Sequence, residues 1–391
     1  MSDLQSPSPQ TMAQPPAGNP ATAAAPTSTS SRKSRIPLPQ STLLRHLLAV
    51  LVCAVAAVVL LEVTDPFRNS QLATLTYYAI AAGGLTVLTG LNGQISLGHG
   101  ALMAVGAYTT GLFLSADEPL PLPVIFLAAV VVTAAVGAVV GAAASRLHGP
   151  YLAGATLALA VGLPGLALKF DGWLGGEQGM RVRAPRAPEW FGDAIKAISG
   201  NQATATKWLA YVGAICLIIT YFLLANLVRS RIGRTWRAVR DNDVAAELAG
   251  IRLGSWRVLA FVVSAACAGL GGAVLAIVVR LAAPSAFTLV LSLALLTAIV
   301  LGGLGSLLGA LIGSALLVFL PQVTTDLGAS AGLDNTEAAQ VAPFVYGIVL
   351  VVAMIFAPAG IVGTIRLRWL ARRAKRATAR EREVRSADAR P

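Results

Sequence analysis

The chain has 391 residues, of which 55% are hydrophobic and 12% charged, and a formal net charge of +12. Its apolar residues fall in long blocks rather than at amphipathic spacing, which excludes an ordinary soluble globular protein. Residues 69–116 and 281–325 contain no Asp, Glu, Lys or Arg, and each block can cross a bilayer twice at about 20 residues per span. Because backbone in lipid must satisfy its own hydrogen bonds, we predict an all-α, polytopic integral membrane helical bundle.

The chain begins with a polar segment and continues as a series of apolar spans. Residues 1–40 are rich in Pro, Ala, Ser, Thr and Gln and predict a disordered cytoplasmic tail. The first apolar segment starts too late and is too long for the hydrophobic core of a signal peptide. About ten candidate spans follow, at roughly 43–62, 72–91, 95–115, 122–146, 151–170, 207–228, 258–279, 287–301, 306–320 and 342–362.

A polar break, "GLNGQISLGHG", separates the second and third spans and carries Asn92, Gln94 and Ser96 among glycines. Irregular backbone at membrane depth survives only where protein or a water-filled cavity surrounds it. The stretch therefore predicts either a broken or re-entrant helix beside a solute pathway or an ordinary cytoplasmic turn. His99, which follows at once, and Thr156 on the fifth span are the other polar candidates for that pathway; plain packing is the alternative for His99.

Small residues at four-residue spacing predict close approach of helices. Gly137 and Gly141 form one such pair on the fourth span, and Gly305, Gly309 and Gly313 are expected to line one face of the ninth. Glycines just before the ninth span interrupt its apolar run, so that span is expected to be short. Both sets predict helix packing rather than a binding site.

Charge is distributed unevenly over the connecting segments. With both termini cytoplasmic, ten spans place most Lys and Arg residues inside and most acidic residues outside, as the positive-inside rule requires for a protein of the cell inner (plasma) membrane. Residues 366–391 then form a basic cytoplasmic C-terminal tail whose natural partners are anionic membrane lipids. No groove-reading pattern accompanies these cations, so nucleic acid is not an expected partner.

The spans provide no means of driving transport on their own. The sequence has no GxxxxGK[ST] phosphate loop, and Cys53, Cys216 and Cys267 lie singly, so we predict neither a metal site nor a cofactor. A gradient-driven transporter is expected to carry ionisable groups in its spans. We predict a bundle without carboxylates, which instead favours a permease, not itself an enzyme, powered by another polypeptide. Because backbone carbonyls can also hold ions, an ion-gradient-driven secondary transporter remains the alternative.

The longest cytoplasmic loop, residues 229–257, contains seven arginines and a short predicted helix. Asp241 or Asp243 can cap its start, "VAAELA" supplies good helix formers, and Gly250 is placed to end it. Arg240 and an acidic residue fall within the same arc as apolar residues, so the helix is only weakly amphipathic and is not expected to lie on the membrane surface.

The "AAELAG" pattern of this loop, with Ala245, Ala246 and Gly250, resembles the EAA loop of ABC importer permeases. Together with "SRIGRTWRAVRDNDVAAELAGI" and "AFVVSAACAGLGGA", three further stretches make the chain similar to the branched-chain amino acid permease family, of the second (M-type) subunit kind. They are "GLNGQISLGHGALMAVGAYTTGLF", "YLAGATLALAVG" with "LGGEQGM", and "TAIVLGGLGSLLGALIGSALL". The resemblance covers about residues 70–365, with Val244 standing where the general EAA pattern has Glu.

The resemblance implies a permease domain, residues 41–365, that imports branched-chain amino acids or similar small polar solutes while separate ATP-binding cassette subunits hydrolyse ATP. Urea, amides and other small acids are also open as solutes. A second permease subunit, in a heterodimer, and an extracytoplasmic solute-binding protein that docks on the outer loop 171–206 are the other implied partners. The residues implied in coupling to the ATPase are Arg240, Asp243, Ala245, Ala246, Glu247 and Gly250.

Overall fold

The computed structural model describes residues 42–373, with gaps at 117, 119, 148–149, 201–203, 331–333 and scattered positions between 335 and 359. The described chain is a bundle of α-helices with one pair of two-residue strands. The predicted N-terminal tail and the last eighteen residues of the predicted C-terminal tail lie outside the described residues. The predicted all-α membrane class is confirmed, because six helices are long and apolar enough to cross a bilayer.

The helices follow one another in chain order with few other elements. They are α1 (Thr42–Val63), α2 (Pro66–Leu85, continued by a π-helical turn at Thr86–Leu91), α3 (His99–Leu114), α4 (Leu122–Ala144), α5 (Pro150–Lys169), α6 (Asp171–Leu174), α7 (Glu189–Ser199), α8 (Ala205–Arg229), α9 (Arg231–Asp241), α10 (Asp243–Leu248), α11 (Leu253–Val279), α12 (Leu289–Gly302) and α13 (Leu307–Ser330). The strands β1 (Met180–Arg181) and β2 (Leu281–Ala282) pair antiparallel, and short 3-10 turns occupy Gly176–Gln178 and Pro284–Phe287. Residues 360–373 are helical as well.

Two helices are short for a membrane crossing. α3 has 16 residues and α12 has 14, so at 1.5 Å per residue they extend over about 24 and 21 Å of a hydrocarbon core of about 30 Å. Nine of the 21 residues of the tenth predicted span lie outside the described residues, and the count of ten is therefore not established. The prediction of a short ninth span was wrong, since α13 has 24 residues and the glycine-rich stretch ends α12 instead of interrupting α13.

The core lies around α2 and α11. In the most apolar 18-residue stretch of each helix, 72% of the residues of α2 with its π-helical turn and 67% of those of α11 are buried. The share is 22% in α5 and in α13. α11 packs against α4, α3 and α2, and α2 also packs against α8 and α13. The outward faces remain apolar; on α4, for example, Leu127, Val131 and Val139 are exposed. Such faces require lipid or a partner helix around them.

The predicted glycine contacts are confirmed with one exception. Cβ atoms at Gly137 and Gly141 of α4 would collide with α11, and Cβ atoms at Gly309 and Gly313 of α13 would collide with α12. Each of these four positions lets two helices approach closely. Gly305, however, does not belong to the α13 face, because it lies in the turn before that helix with φ +79°.

The bundle has two distinct ends. We call the end that carries residues 230–252, between α8 and α11, the arginine-rich end. Strand β2 follows α11 directly and therefore lies at the opposite end of the bundle. Because β1, in the segment after α5, pairs with β2, that segment lies at the opposite end as well. There Glu62 of α1 forms an ion pair of 2.7 Å with Lys207 in the first turn of α8, and both side chains are more than nine-tenths buried. α1 therefore starts at the arginine-rich end, and Glu62 corrects the expectation of a bundle without carboxylates.

Candidate coupling and solute-pathway sites

The loop between α8 and α11 forms two helices, where the sequence predicted one. The backbone is extended at Asn242 (φ −160°, ψ 104°), which separates α9 from α10. The Asn242 side-chain oxygen accepts a hydrogen bond of 2.9 Å from the Ala245 N–H and caps α10. The predicted caps were therefore wrong, since Asp241 ends α9 and Asp243 is the first residue inside α10.

The other end of α10 stops where the sequence predicted. Gly250 has φ +84°, in the left-handed region that glycine adopts without strain. Its N–H donates to the Glu247 carbonyl at 2.9 Å, and the Ile251 N–H donates to the Ala246 carbonyl at 3.0 Å. This pair of bonds is a Schellman motif, which satisfies carbonyls left open at a helix end. α10 is thus a defined helical turn, closed at both ends.

α9 is anchored in the protein by its apolar face. Trp236 is fully buried and Val239 is 4% exposed, and the Trp236 indole N–H donates to the Trp256 carbonyl of α11 at 3.0 Å. Because α9 and α10 are separate helices, Arg240 and Glu247 do not share one helical arc. The prediction of weak amphipathicity was wrong for this reason, and α9 is clearly two-faced.

Two arginines of α9 bind the end of the preceding membrane helix. Arg234 donates to the Arg229 carbonyl at 3.2 Å, and Arg237 donates to the Val228 carbonyl at 3.3 Å. Carbonyls in the last turn of a helix lack intrahelical partners and carry partial negative charge, so nearby cations stabilise them. Both side chains therefore help to hold α9 against the end of α8.

Arg240 connects α9 to the end of α2. Its guanidinium donates to the Gly90 carbonyl, in the π-helical turn, at 2.6 Å, and its methylene chain lies against Gly93, where a Cβ would be 2.9 Å from the Arg240 Cγ. On the next helix, Asp243 lies 3.5 Å from the Arg257 guanidinium of α11. The α9–α10 unit is thereby joined to the ends of two central helices.

α10 itself presents an apolar surface outward. Ala246 is 4% exposed and faces the protein, whereas Val244 is 64% and Leu248 85% exposed. Ala245 and Glu247 are exposed too. A helix that exposes aliphatic side chains while its ends are fixed has the form of a docking element.

The polar break between the second and third predicted spans turns back into the bundle. α3 begins at His99, whose Nε2 donates to the Ala81 carbonyl at 2.9 Å. Ala81 lies ten residues before Leu91, a helical rise of about 15 Å. Residues 92–98 therefore run without helical structure from the arginine-rich end into the interior, and α3 starts inside the protein.

The structure gathers all five predicted pathway residues around this segment. Asn92, Gln94, Ser96, His99 and Thr156 are each at most 5% exposed. Thr156 Oγ1 accepts the N–H of the neighbouring leucine at 3.0 Å and fastens the segment to α5.

Four of their polar atoms have no hydrogen-bond partner among the described residues: Asn92 Nδ2, Gln94 Oε1, Ser96 Oγ and His99 Nδ1. Leaving such a group unsatisfied costs about 1–3 kcal/mol, so water or solute is expected there.

Sequence reasoning missed two residues of this region. Ser292, in the first turn of α12, accepts the Gly100 N–H at 2.9 Å, so the first turns of α3 and α12 meet. A single hydroxyl in an apolar run gives no local signal of that contact. Asn242 did have a signal, since Asn ranks with Asp as a helix cap, but its two acidic neighbours obscured it.

Comparison with known proteins agrees with this architecture. The model of a family described as branched-chain amino acid transport system / permease component matches residues 69–354. The high-affinity branched-chain amino acid transport system permease protein LivM of Salmonella typhimurium is 29% identical over 335 residues, covering 79% of this chain and 74% of the relative. The corresponding protein BraD of Pseudomonas aeruginosa is 26% identical over 299 residues, covering 73% and 91%.

LivH of Escherichia coli, another high-affinity branched-chain amino acid transport system permease protein, is 26% identical over 297 residues, covering 73% of this chain and 91% of the relative. No solved structure gives a significant match. The resemblance inferred from the sequence motifs is thus confirmed. Since the family model covers well over half of the chain, and its helices are those of a multi-pass membrane protein, the chain belongs to the branched-chain amino acid transport permease family.

Proposed function

We propose that this chain is the transmembrane permease subunit of an ABC importer that moves branched-chain amino acids or similar small polar solutes inward. ATP hydrolysis takes place on separate ATP-binding cassette subunits. The observation that carries the proposal is α10, a closed helical turn that exposes Val244 and Leu248 while its neighbours bind the central helices. Such an element transmits the movement of a docked partner to the membrane helices.

The contacts define a route for that movement. A displacement of α10 acts on α9, and Arg240 passes it through the Gly90 carbonyl to the end of α2. Residues 92–98 continue directly from this point to the buried start of α3. A partner that closes on α10 therefore moves backbone next to the proposed solute pathway.

The solute pathway follows the buried polar segment. His99 Nε2 donates to a backbone carbonyl, so Nδ1 is left as an acceptor for an ammonium group. Gly98, the residue before α3, provides no side-chain cap, and Ser292 binds the Gly100 N–H of the first turn. The partial positive charge of this helix start favours a carboxylate. A zwitterion can thus be bound without a charged side chain.

The remaining partners occupy the other surfaces. A second permease subunit packs on the weakly buried α5 or α13, and lipids cover the remaining apolar faces. An extracytoplasmic solute-binding protein docks at the opposite end, on the loop that contains α7, where Trp190 is 65% exposed. In this orientation the arginine-rich end and both termini are cytoplasmic, in the inner (plasma) membrane.

The test is uptake of radiolabelled leucine, isoleucine, valine, urea and an aliphatic amide by the whole complex in proteoliposomes. We expect uptake of the branched-chain amino acids to require ATP and to cease with a hydrolysis-deficient ATPase subunit, while an ionophore has no effect. Uptake that survives loss of the ATPase and collapses with the ion gradient would instead identify a secondary transporter. Preference for urea or the amide would correct the solute class alone.

A further inference from the structure

A polar cleft of about 460 Å³ opens at the arginine-rich end, where residues 92–94 meet α9 and α10. Its polar lining combines three amides with two arginines and two carboxylates, namely Asn92, Gln94, Asn242, Arg240, Arg257, Asp241 and Asp243. Its apolar lining consists of Leu147, Leu152 and Val239. The formal charges of the cleft cancel because Asp241 pairs with Arg240 at 2.7 Å and Asp243 pairs with Arg257 at 3.5 Å. A cleft without net charge favours a small ligand that carries both signs over a simple anion or cation.

Two of the three amides, those of Asn92 and Gln94, have a defined orientation. Gln94 Nε2 lies 3.3 Å from the Arg257 carbonyl, and since a carbonyl can only accept, the Gln94 NH₂ group must face it. The same NH₂ group donates to Asn92 Oδ1. Gln94 Oε1 and Asn92 Nδ2 then remain without partners among the described residues, although both side chains are more than nine-tenths buried. The lining of the cleft thus contains one acceptor and one donor that no described residue binds.

This arrangement complements an α-amino acid. The Asn92 amide N–H and the neighbouring guanidinium groups suit its carboxylate. Gln94 Oε1 suits its ammonium group, and so does Asp241 Oδ2, since only Oδ1 of Asp241 accepts from Arg240. Leu147 and Leu152 suit a branched aliphatic side chain. We infer that the cleft is a cytoplasmic binding site for a branched-chain amino acid, an inference that rests on the proposed function for the solute class and for the orientation of the protein.

Occupancy of the cleft has a mechanical consequence. The ligand bridges Asn92 and Gln94, on the segment between α2 and α3, to Asp241 at the end of α9. This junction has to move when a partner displaces α10, so a bound ligand holds it in place. Imported amino acid that accumulates in the cytoplasm therefore slows its own import, with no additional regulatory domain.

Binding is tested with the full chain in lipid nanodiscs and radiolabelled L-leucine. 4-Methylpentanoate lacks the ammonium group and 3-methylbutylamine lacks the carboxylate, so each loses a charge-assisted contact and should bind at least about tenfold more weakly. Asp241→Asn removes an exposed partner of the ammonium group, and Leu152→Trp fills the apolar half of the cleft without removing a polar group. Both variants should bind L-leucine at least about tenfold more weakly.

Thr133→Val is the matched control, because its hydroxyl is also buried without a hydrogen-bond partner in the described part of the chain but lies on α4, away from the cleft. This variant should bind L-leucine like the wild type. Binding by Leu152→Trp is measured only on protein that elutes as a single species and has the thermal stability of the wild type. Asp241→Asn tests the site independently. Equal binding of L-leucine by wild type and either variant, or no binding by the wild type, overturns the inference.

Inhibition by cytoplasmic amino acid is measured on the whole complex, in proteoliposomes whose ATPase subunits face outward. L-leucine added on the ATPase side should lower the rate of ATP hydrolysis at least twofold in the wild type and leave it unchanged in Leu152→Trp. Equal inhibition of both overturns the inference. Absence of any ATP-driven uptake would overturn the proposed function, whereas normal uptake without leucine binding at the cleft would overturn this inference alone.

Discussion

α9 and α10 are adjacent in the chain, yet their relation to the protein surface is opposite. α9 is rich in arginine and nevertheless buries Trp236 completely and Val239 almost completely. α10 contains more aliphatic residues and nevertheless exposes Val244 and Leu248. In this region, hydropathy therefore does not determine burial.

This difference is what the proposed function requires, with α9 as an anchor and α10 as the docking helix. α9 is held by the Trp236 indole and by arginines that bind carbonyls of α8 and α2, whereas α10 is held mainly through its two ends. An anchor needs a buried face, and a docking element needs an apolar face left open for a partner. The predictions that follow test this division, in decreasing order of their effect on stability.

Trp236→Ala should have the largest effect on stability. The indole is fully buried, and removing such a side chain typically costs about 3–5 kcal/mol. We expect the free energy of unfolding, measured by denaturation in micelles, to fall by that amount. Trp173→Ala is the control, since Trp173 is 79% exposed and its loss should change little. Equal stability of the two variants would show that α9 is not an anchor.

Gly250→Val should strain the end of α10. A β-branched residue at φ +84° costs about 1–2 kcal/mol, and because no atom lies within 4 Å of an added Cβ, the strain is conformational and not steric. We expect normal membrane insertion but loss of transport-coupled ATP hydrolysis in reconstituted vesicles. Gly254→Ala, within the helical start of α11, should retain coupling, because its Cβ would meet only Ser145 Oγ at 4.0 Å, an ordinary van der Waals contact. Normal coupling in Gly250→Val would contradict the role of α10.

Asn242→Ala should loosen the start of α10. Loss of the cap costs about 1 kcal/mol, so hydrogen exchange at the Ala245 amide is expected to become about fivefold faster. Asn242→Asp retains an acceptor and should exchange like the wild type. If Asp243→Ala accelerated this exchange more than Asn242→Ala, the cap of α10 would be Asp243, as predicted from the sequence, and not Asn242.

Leu248→Asp should leave stability unchanged and remove docking. At 85% exposure the substitution is expected to alter the free energy of unfolding by less than about 0.5 kcal/mol. Affinity for the purified ATPase subunits should nevertheless fall at least about tenfold, because a charge enters an apolar contact. Leu304→Asp, 52% exposed in the turn before α13, is the control at the same end. Equal loss of affinity in both would mean that α10 is not the specific docking site.

Sequence patterns predicted features with a local cause. Gly250 was identifiable as a helix end because glycine adopts positive φ at little cost, and Gly137 and Gly141 as packing sites because their spacing places them on one helix face. Predictions failed where contacts with residues distant in the sequence determine the local structure. Gly305 keeps the four-residue spacing but lies in a turn next to Gly90, a contact with a residue more than 200 positions away.

Glu62 shows the same limit for charge. At the end of an apolar span it has no local feature that distinguishes it from a solvated terminal carboxylate. The structure buries it against Lys207, with the Tyr211 hydroxyl donating to it at 2.8 Å. A buried carboxylate is tolerable only when such partners compensate its desolvation, and those partners come from a helix far along the chain.

By itself, the sequence determined that this protein is a bundle of membrane helices with an arginine-rich loop and a polar break after α2. The reason is that the length of an apolar run and its lack of charge determine whether it can cross a bilayer. Only the tertiary structure decided that the loop contains one helix with a buried face and one with an exposed aliphatic surface, and that the break turns inward to join α3, α5 and the end of α2. Those outcomes depend on bonds between distant segments, such as Arg240 to the Gly90 carbonyl, and no local pattern encodes which carbonyl will be within reach.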